Sequence, residues 1–159
     1  MPKRILRLAG VLPAVSLAVA LSHLGPGQAH EAHLHFSAGE PGNPNKPART
    51  ITVLMREMQF EPSRIAVHKG EQIRFVLRNV GTESHEFVLA TPDENRKHEE
   101  VMKKFPNMEH DDPNAKRVAV SGAAELLWAF TKPGEFEFAC LIPDHREYGM
   151  TGTDRKSVV

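Results

Sequence analysis

Short runs of alternating apolar and polar residues are the feature that most restricts how this chain can fold. In QIRFVLRNV, for example, Ile73, Phe75 and Leu77 fall on one face and polar residues on the other. Side chains alternate across a β-strand, so each such run predicts a strand with one buried face. Glycine and proline punctuate the runs, as in antiparallel sandwiches. The sequence therefore predicts an all-β protein built as an antiparallel β-sandwich.

One segment, TPDENRKHEEVMKKF, departs from this alternation. Thr91 and Glu94 have the spacing of a capping box, and the proline between them is tolerated in the first turn of a helix. Helical spacing then puts Val101, Met102 and Phe105 on one apolar face of this helix. We expect one helix near residues 92–105, inserted between two strands.

The chain begins with the layout of a secretory signal peptide, residues 1–29: a basic start, an apolar stretch and a small-residue cleavage motif. Pro13 and Ser16 interrupt the apolar stretch, which makes a membrane anchor the weaker alternative. Residues 30–49 are rich in proline, glycine and asparagine and are predicted to form a flexible histidine-bearing arm. Residues 50–159 would then form the folded domain of an exported, periplasmic protein.

The charge of the mature chain restricts its partners. Removing the signal peptide would take three basic and no acidic residues, leaving 17 Lys and Arg against 20 Asp and Glu, a net charge of −3 with neutral histidines. Nucleic-acid-binding proteins usually carry a basic surface, so we expect no nucleic acid partner. No later segment is apolar enough for a membrane span, so we expect none in the mature chain.

The only cysteine, Cys140, ends an apolar row and opens the loop CLIPDHREYGM. Alternation in EFEFAC puts Phe136, Phe138 and Cys140 on one face, so the thiol would emerge at the end of the core. His145 and Met150 follow at equal intervals, and the loop can fold both back over the sulfur. A lone cysteine in an exported protein is a free thiol, an intermolecular disulfide or a metal ligand.

A second histidine, His85, begins an apolar run after the turn in NVGTESHEFVL and can supply a donor from a distant strand. Structural zinc sites favour several cysteines, and a cysteine protease needs its Cys–His pair in a polar cleft; both alternatives fit this sequence less well. Two imidazoles, one thiolate and a weak axial thioether suit copper. The sequence thus predicts a copper site of His85, Cys140, His145 and Met150.

These residues are where the chain resembles the cupredoxins, the family of plastocyanin and azurin, over roughly residues 51–152. The resemblance implies a Greek-key β-sandwich with one type 1 copper, and its ligand pattern falls on the same four residues. HEFVLATPDEN, MEHDDPNAKR and ACLIPDHREYGMTG are similar to the periplasmic copper-resistance cupredoxins, the CopI-like group. One departure is Glu86, where plastocyanin and azurin usually place asparagine, so the hydrogen bonding around the metal is open to change.

Two further clusters are candidates for accessory metal binding. His30, His33 and His35 lie in the arm and could gather a weakly bound extra copper, against the alternative of a solvated polar arm. Met108 and His110 could hold Cu(I), against the alternative of a polar loop.

Two functions share this predicted site. The first is a periplasmic copper-binding protein that serves copper tolerance or homeostasis by binding or shuttling copper, with redox cycling between Cu(I) and Cu(II). The alternative is a small soluble electron carrier of a respiratory chain. A copper oxidase needs a second catalytic site, usually built from H-x-H pairs within the fold, and the only such pair lies in the arm; we therefore expect no enzyme. Apolar residues of the metal loop predict a docking patch for a transient redox or copper-transfer partner, namely Leu141, Ile142, Pro143 and Tyr148.

Overall fold

A computed structural model describes residues 36–106, 108 and 112–154 of the chain. Ten strands in these residues form two five-stranded sheets. The strands are Glu40–Pro41 (β1), Arg49–Arg56 (β2), Gln59–Glu61 (β3), Arg64–Ile65 (β4), Gln72–Asn79 (β5), His85–Ala90 (β6), Ala115–Val118 (β7), Ala123–Ala129 (β8), Phe136–Ala139 (β9) and Thr151–Asp154 (β10). One helix, Pro92–Lys104 (α1), separates β6 from β7. The all-β fold with one inserted helix is confirmed.

The strand order is β1-β8-β5-β2-β3 in the first sheet and β4-β10-β9-β6-β7 in the second. The alternation predicted from sequence is confirmed: the inward residues of β5 and β8 are buried, among them Ile73, Phe75, Leu126 and Trp128. Inward residues of both sheets meet in one core, where the rings of Phe75 from β5 and Phe87 from β6 lie at a centroid distance of 5.2 Å.

The predicted antiparallel pairing holds for six strand pairs but fails for two, because β2 pairs with β5 in parallel and β4 pairs with β10 in parallel. Parallel neighbours require a long connection. Between β2 and β5 the chain makes β3 at the edge of one sheet and β4 in the other, which supplies that length and returns the chain in the same direction. Period-two alternation identifies strands but not their relative direction.

The prediction of a flexible arm over residues 30–49 is wrong for residues 36–49, which belong to the fold. The Phe36 ring meets Trp128 edge-on at a centroid distance of 5.3 Å, and the indole Nε1–H donates to the Ala38 carbonyl over 3.1 Å. β1 then pairs with β8 and extends the first sheet. Farther along, the Gln72 side chain bonds the backbone of the segment, with Oε1 accepting from Asn43 N at 2.7 Å. A turn-rich composition without periodicity therefore reflects an irregular segment held by side-chain partners. Residues 1–35, including the predicted signal peptide, lie outside the described part.

Helix α1 begins as predicted. Thr91 is the N-cap, and the reciprocal capping box with Glu94 is present. The buried face agrees with the prediction at Met102 only. Asn95 and Glu99 are buried beside it, whereas Val101 and Phe105 are 41% and 56% exposed. Asn95 and Glu99 face inward because they have polar partners there: Asn95 bonds to Glu137, and Glu99 accepts a hydrogen bond from Arg146. Among the described residues α1 is the only helix, and its 13 residues are too few and too polar to cross a membrane.

Candidate metal centre

His85 is positioned by a loop that a buried asparagine holds in place. Asn79, at the end of β5, donates from Nδ2 to the carbonyl oxygens of Glu83 and Val118 over 2.7 and 3.0 Å, and its Oδ1 accepts from the Gly81 N–H at 3.0 Å. These bonds satisfy a polar side chain that is 2% exposed. The loop therefore delivers His85 to the start of β6 with its ring fully buried.

Cys140 follows β9 and is fully buried, as the alternation predicts. Phe136 and Phe138 share its face and lie in the same core cluster. The Glu86 backbone N–H donates to Cys140 Sγ over 3.2 Å, which ties the sulfur to the strand that carries His85. The donor is the backbone N–H, so this hydrogen bond to the sulfur does not depend on the side chain at position 86. It is present here with glutamate in place of the asparagine usual in plastocyanin and azurin.

The loop after Cys140 folds back on itself, as predicted. The Met150 N–H donates to the His145 carbonyl over 3.0 Å, and the Cys140 N–H donates to the Met150 carbonyl over 3.1 Å. Gly149 has a φ of 100°, in the left-handed region that favours glycine. These bonds return the chain to β10 beside β9 and bury both His145 and Met150.

The three strongest candidate ligands meet in one place. Ligand atoms of His85, Cys140 and His145 all lie within 4.8 Å of one another, the only such group of His, Cys, Asp and Glu among the described residues. The distance from Cys140 Sγ to His145 Nδ1 is 3.3 Å. Neither ring nitrogen of His85 has a hydrogen-bond partner, although the ring is fully buried. Buried polar atoms normally have partners, so an imidazole without one fits a metal-binding role.

This donor set fits one type 1 copper, because two imidazoles and one thiolate are its usual ligands. Met150, the predicted thioether ligand, is fully buried in the same core cluster as Cys140. The assignment of the four individual ligands stays a prediction.

Burial sets the protonation of the metal-free site. Desolvation raises the pKa of the Cys140 thiol to about 12, and the Glu86 N–H opposes this only in part. Desolvation also lowers the pKa of His85, and the neighbouring His145 adds to that effect. The metal-free pocket therefore holds a neutral thiol beside a neutral imidazole.

Two glutamates that the sequence analysis did not single out face the histidines. Glu57 Oε1 lies 3.7 Å from His85 Nε2, and Glu83 Oε2 lies 3.2 Å from His145 Nε2. Glu57 comes from the turn between β2 and β3, far from His85 in sequence, so only the fold brings it here. Glu83 could have been noticed in ESHE, two residues before a candidate ligand.

A buried ionic network behind the loop was also missed. Arg146 donates from Nη1 to Glu99 over 3.0 Å and from Nε and Nη2 to the two carboxylate oxygens of Glu137 over 3.1 and 3.3 Å. Asn95 Nδ2 in turn donates to Glu137 over 3.1 Å. Favourable interactions with these carboxylates raise the pKa of Arg146 despite its partial burial. The residue next to His145 is thus tied to helix α1 and to β9.

The remaining predicted positions belong to the docking patch and to the accessory metal sites. Leu141 is fully buried beneath α1 with Met102, so the predicted apolar patch around the metal loop is wrong at that position; Tyr148 is 71% exposed. Met108 is 41% exposed and its N–H donates to the Phe105 carbonyl. The remaining accessory candidates, His30, His33, His35 and His110, lie outside the described residues.

Known copper proteins are similar to this chain in sequence. A family model described as copper binding proteins, plastocyanin/azurin family, matches residues 48–154. The copper-resistant cuproprotein CopI of Rubrivivax gelatinosus is 46% identical over 132 residues, which cover 82% of this chain and 78% of that protein. The copper-resistant cuproprotein CopI of Pseudomonas aeruginosa is 32% identical, over 89% of this chain and 94% of that one.

Solved structures show the same fold. Auracyanin B superposes with a TM-score of 0.63 at 18% identity, over 76% of this chain and 97% of that one. Reduced auracyanin from Roseiflexus castenholzii has a TM-score of 0.59 at 21% identity, over 71% of this chain and all of that one. The resemblance to the cupredoxins drawn from sequence is confirmed: this chain belongs to the plastocyanin/azurin family of copper-binding proteins.

Proposed function

We propose that this protein serves copper tolerance in the periplasm by binding or shuttling copper at a site formed by His85, Cys140, His145 and Met150. The observation that carries the proposal is the convergence of a buried thiol and two imidazoles from two separate loops, within 4.8 Å of one another. The relatives named for copper resistance support the physiological role. Copper held there would supply one-electron chemistry between Cu(I) and Cu(II), and we propose no enzymatic activity beyond it.

The chain's own residues would do three things at this site. The Glu86 N–H would stabilise the Cys140 thiolate once copper replaces its proton. Burial of Met150 and of the aromatic core beside it would keep water from the metal. The Arg146 network would hold the loop that carries His145 in one conformation.

The surface around the site favours copper handling over the alternative role as a dedicated electron carrier. A carrier is expected to present an apolar docking patch beside its metal. Leu141 of the predicted patch is buried and Tyr148 is exposed, and carboxylates of Glu57 and Glu83 flank the histidines. Carboxylates suit the approach of a cation. The accessory histidines of residues 30–35 would add a weak copper-gathering segment, which a pure carrier does not need.

The direct test is copper analysis with a visible spectrum of the purified, copper-loaded protein. We expect one tightly bound copper and an intense thiolate-to-copper band. Cys140→Ser should abolish the band, because serine cannot supply the sulfur donor. An unchanged spectrum in that variant would contradict the site.

A deletion strain separates the two physiological roles. Sensitivity that appears only under added copper supports tolerance, whereas a respiratory defect without added copper supports the electron carrier. Complementation with the Cys140→Ser variant is the matched control, because it should fail in either case if the copper site is what matters.

A further inference from the structure

The outward side of both candidate histidine ligands faces a carboxylate. Glu83 Oε2 is 3.2 Å from Nε2 of His145, whose other nitrogen, Nδ1, faces Cys140 Sγ at 3.3 Å. Glu57 Oε1 is 3.7 Å from Nε2 of His85. A carboxylate that faces one ring nitrogen favours the proton there and leaves the other nitrogen as the metal donor. Glu83 is close enough to do this by a hydrogen bond, whereas Glu57 lies beyond hydrogen-bond distance of His85 and acts through its charge. We propose that Glu57 and Glu83 are positioning residues that orient the two imidazoles toward copper and favour Cu(II) through their charge.

Glu57 is itself held firmly, although its side chain is 39% exposed. Its Oε1 accepts hydrogen bonds from the backbone N–H groups of Thr82 and Glu83, the latter at 3.0 Å, and from the Thr82 hydroxyl at 3.1 Å. The donors belong to the loop that leads into His85. One carboxylate therefore joins the β2–β3 turn to the loop that delivers a ligand.

Gly81 makes this approach possible. A Cβ at this position would lie 2.4 Å from Glu57 Oε1 and 2.8 Å from Oε2. Any side chain there would push the carboxylate away, since the end of a glutamate side chain moves more easily than backbone. Gly81→Ala thus moves the Glu57 carboxylate but keeps its charge. Comparing it with Glu57→Gln distinguishes the effect of the position of the carboxylate from the effect of its charge.

This proposal rests on the copper site described above, and it predicts that Glu57 and Glu83 affect both copper affinity and reduction potential. Loss of a group that orients a metal ligand typically lowers metal affinity by about 10- to 100-fold. Loss of a negative charge beside the site also disfavours Cu(II) relative to Cu(I), so the reduction potential should rise. Neither effect is expected from an exposed glutamate that faces no ligand.

The test compares Glu57→Gln, Glu83→Gln and Gly81→Ala with the wild type in the copper-loaded full chain. Cu(II) affinity is measured by competition with a chelator, and the reduction potential by redox titration of the visible band. Glu125→Gln is the matched control, because the Glu125 side chain is 57% exposed against 56% for Glu83 and pairs with Arg74 rather than a histidine.

We expect both glutamine variants to lose Cu(II) affinity about 10-fold or more and to raise the potential, with the band retained and Glu125→Gln unchanged. Gly81→Ala should change the affinity in the same direction as Glu57→Gln. Thermal unfolding of the metal-free variants checks that the fold is intact. Wild-type affinity and potential in both glutamine variants would overturn the proposal, and wild-type behaviour of Gly81→Ala would overturn the positioning role of Glu57. A wild type without the band would instead defeat the copper site itself, so the two failures are distinguishable.

Discussion

Replacing Arg146 with methionine should destabilise the metal-free protein by about 3 kcal/mol. The guanidinium makes three hydrogen bonds to Glu99 and Glu137, whose side chains are only 7% and 9% exposed. Removing one partner of a buried ion pair costs about 3–5 kcal/mol, because the remaining charge stays buried without compensation. Since 20% of the Arg146 side chain is exposed and water can approach, we take the lower end of that range. For a domain of this size, the melting temperature should fall by roughly 10 °C.

Urea unfolding followed by tryptophan fluorescence measures this loss. Trp128 is the only tryptophan and is fully buried, so its emission reports the global transition. The control is Lys103→Met, because Lys103 also joins helix α1 to the metal loop, through Glu147, but with both side chains partly exposed. Exposed ion pairs contribute little, so this variant should unfold close to the wild type.

A second comparison tests the cause of the loss. Adding Glu99→Gln and Glu137→Gln to Arg146→Met removes the two carboxylates that would otherwise stay buried without a cation. The triple variant should therefore regain part of the lost stability. The reasoning is refuted if Arg146→Met unfolds at the same urea concentration as Lys103→Met, or if the triple variant is less stable than Arg146→Met alone.

Three further predictions concern the site and the N-terminal segment. The pKa of the Cys140 thiol is about 12 in the folded metal-free protein and 9.0 as its reference value, so the folded state retains a proton that the unfolded state loses. Stability should fall between pH 9 and 12 by up to about 1.4 kcal/mol per pH unit relative to Cys140→Ser, measured by urea unfolding; parallel pH profiles would contradict this. Met150→Leu should raise the reduction potential in a redox titration while copper stays bound, because a donor that stabilises Cu(II) is lost, and an unmoved potential would argue against axial ligation. Deleting residues 30–35 should lower the copper stoichiometry and keep the visible band, whereas equal stoichiometry would remove the proposed role of that segment; Phe36 is retained because it packs on Trp128.

Residues close together in sequence account for most of what could be predicted. The period of two in β5 and β8 identified strands and their buried faces, and the spacing of Thr91 and Glu94 identified the start of helix α1. The metal loop was also readable, because a strand with Phe136 and Phe138 on one face must deliver Cys140 into the core. These features depend on local geometry, which the order of residues determines directly.

Misjudged features depend on partners that are distant in the chain. Nothing near Phe36 indicates that its ring will meet Trp128, so its segment was predicted to be flexible. Similarly, Val101 and Phe105 were expected inside because they are apolar, whereas the helix buries Asn95 and Glu99 toward the polar groups of β9 and the metal loop.

The sequence by itself determined the strands, the helix start and the donor types that a copper ion would need. Only the tertiary structure decided that His85 would reach Cys140, that β2 would run parallel to β5, and that Glu57, Glu83 and Arg146 would surround the ligands. The physical reason is that donor chemistry belongs to each residue, whereas distances between residues far apart in the chain follow from how two sheets and one helix pack together.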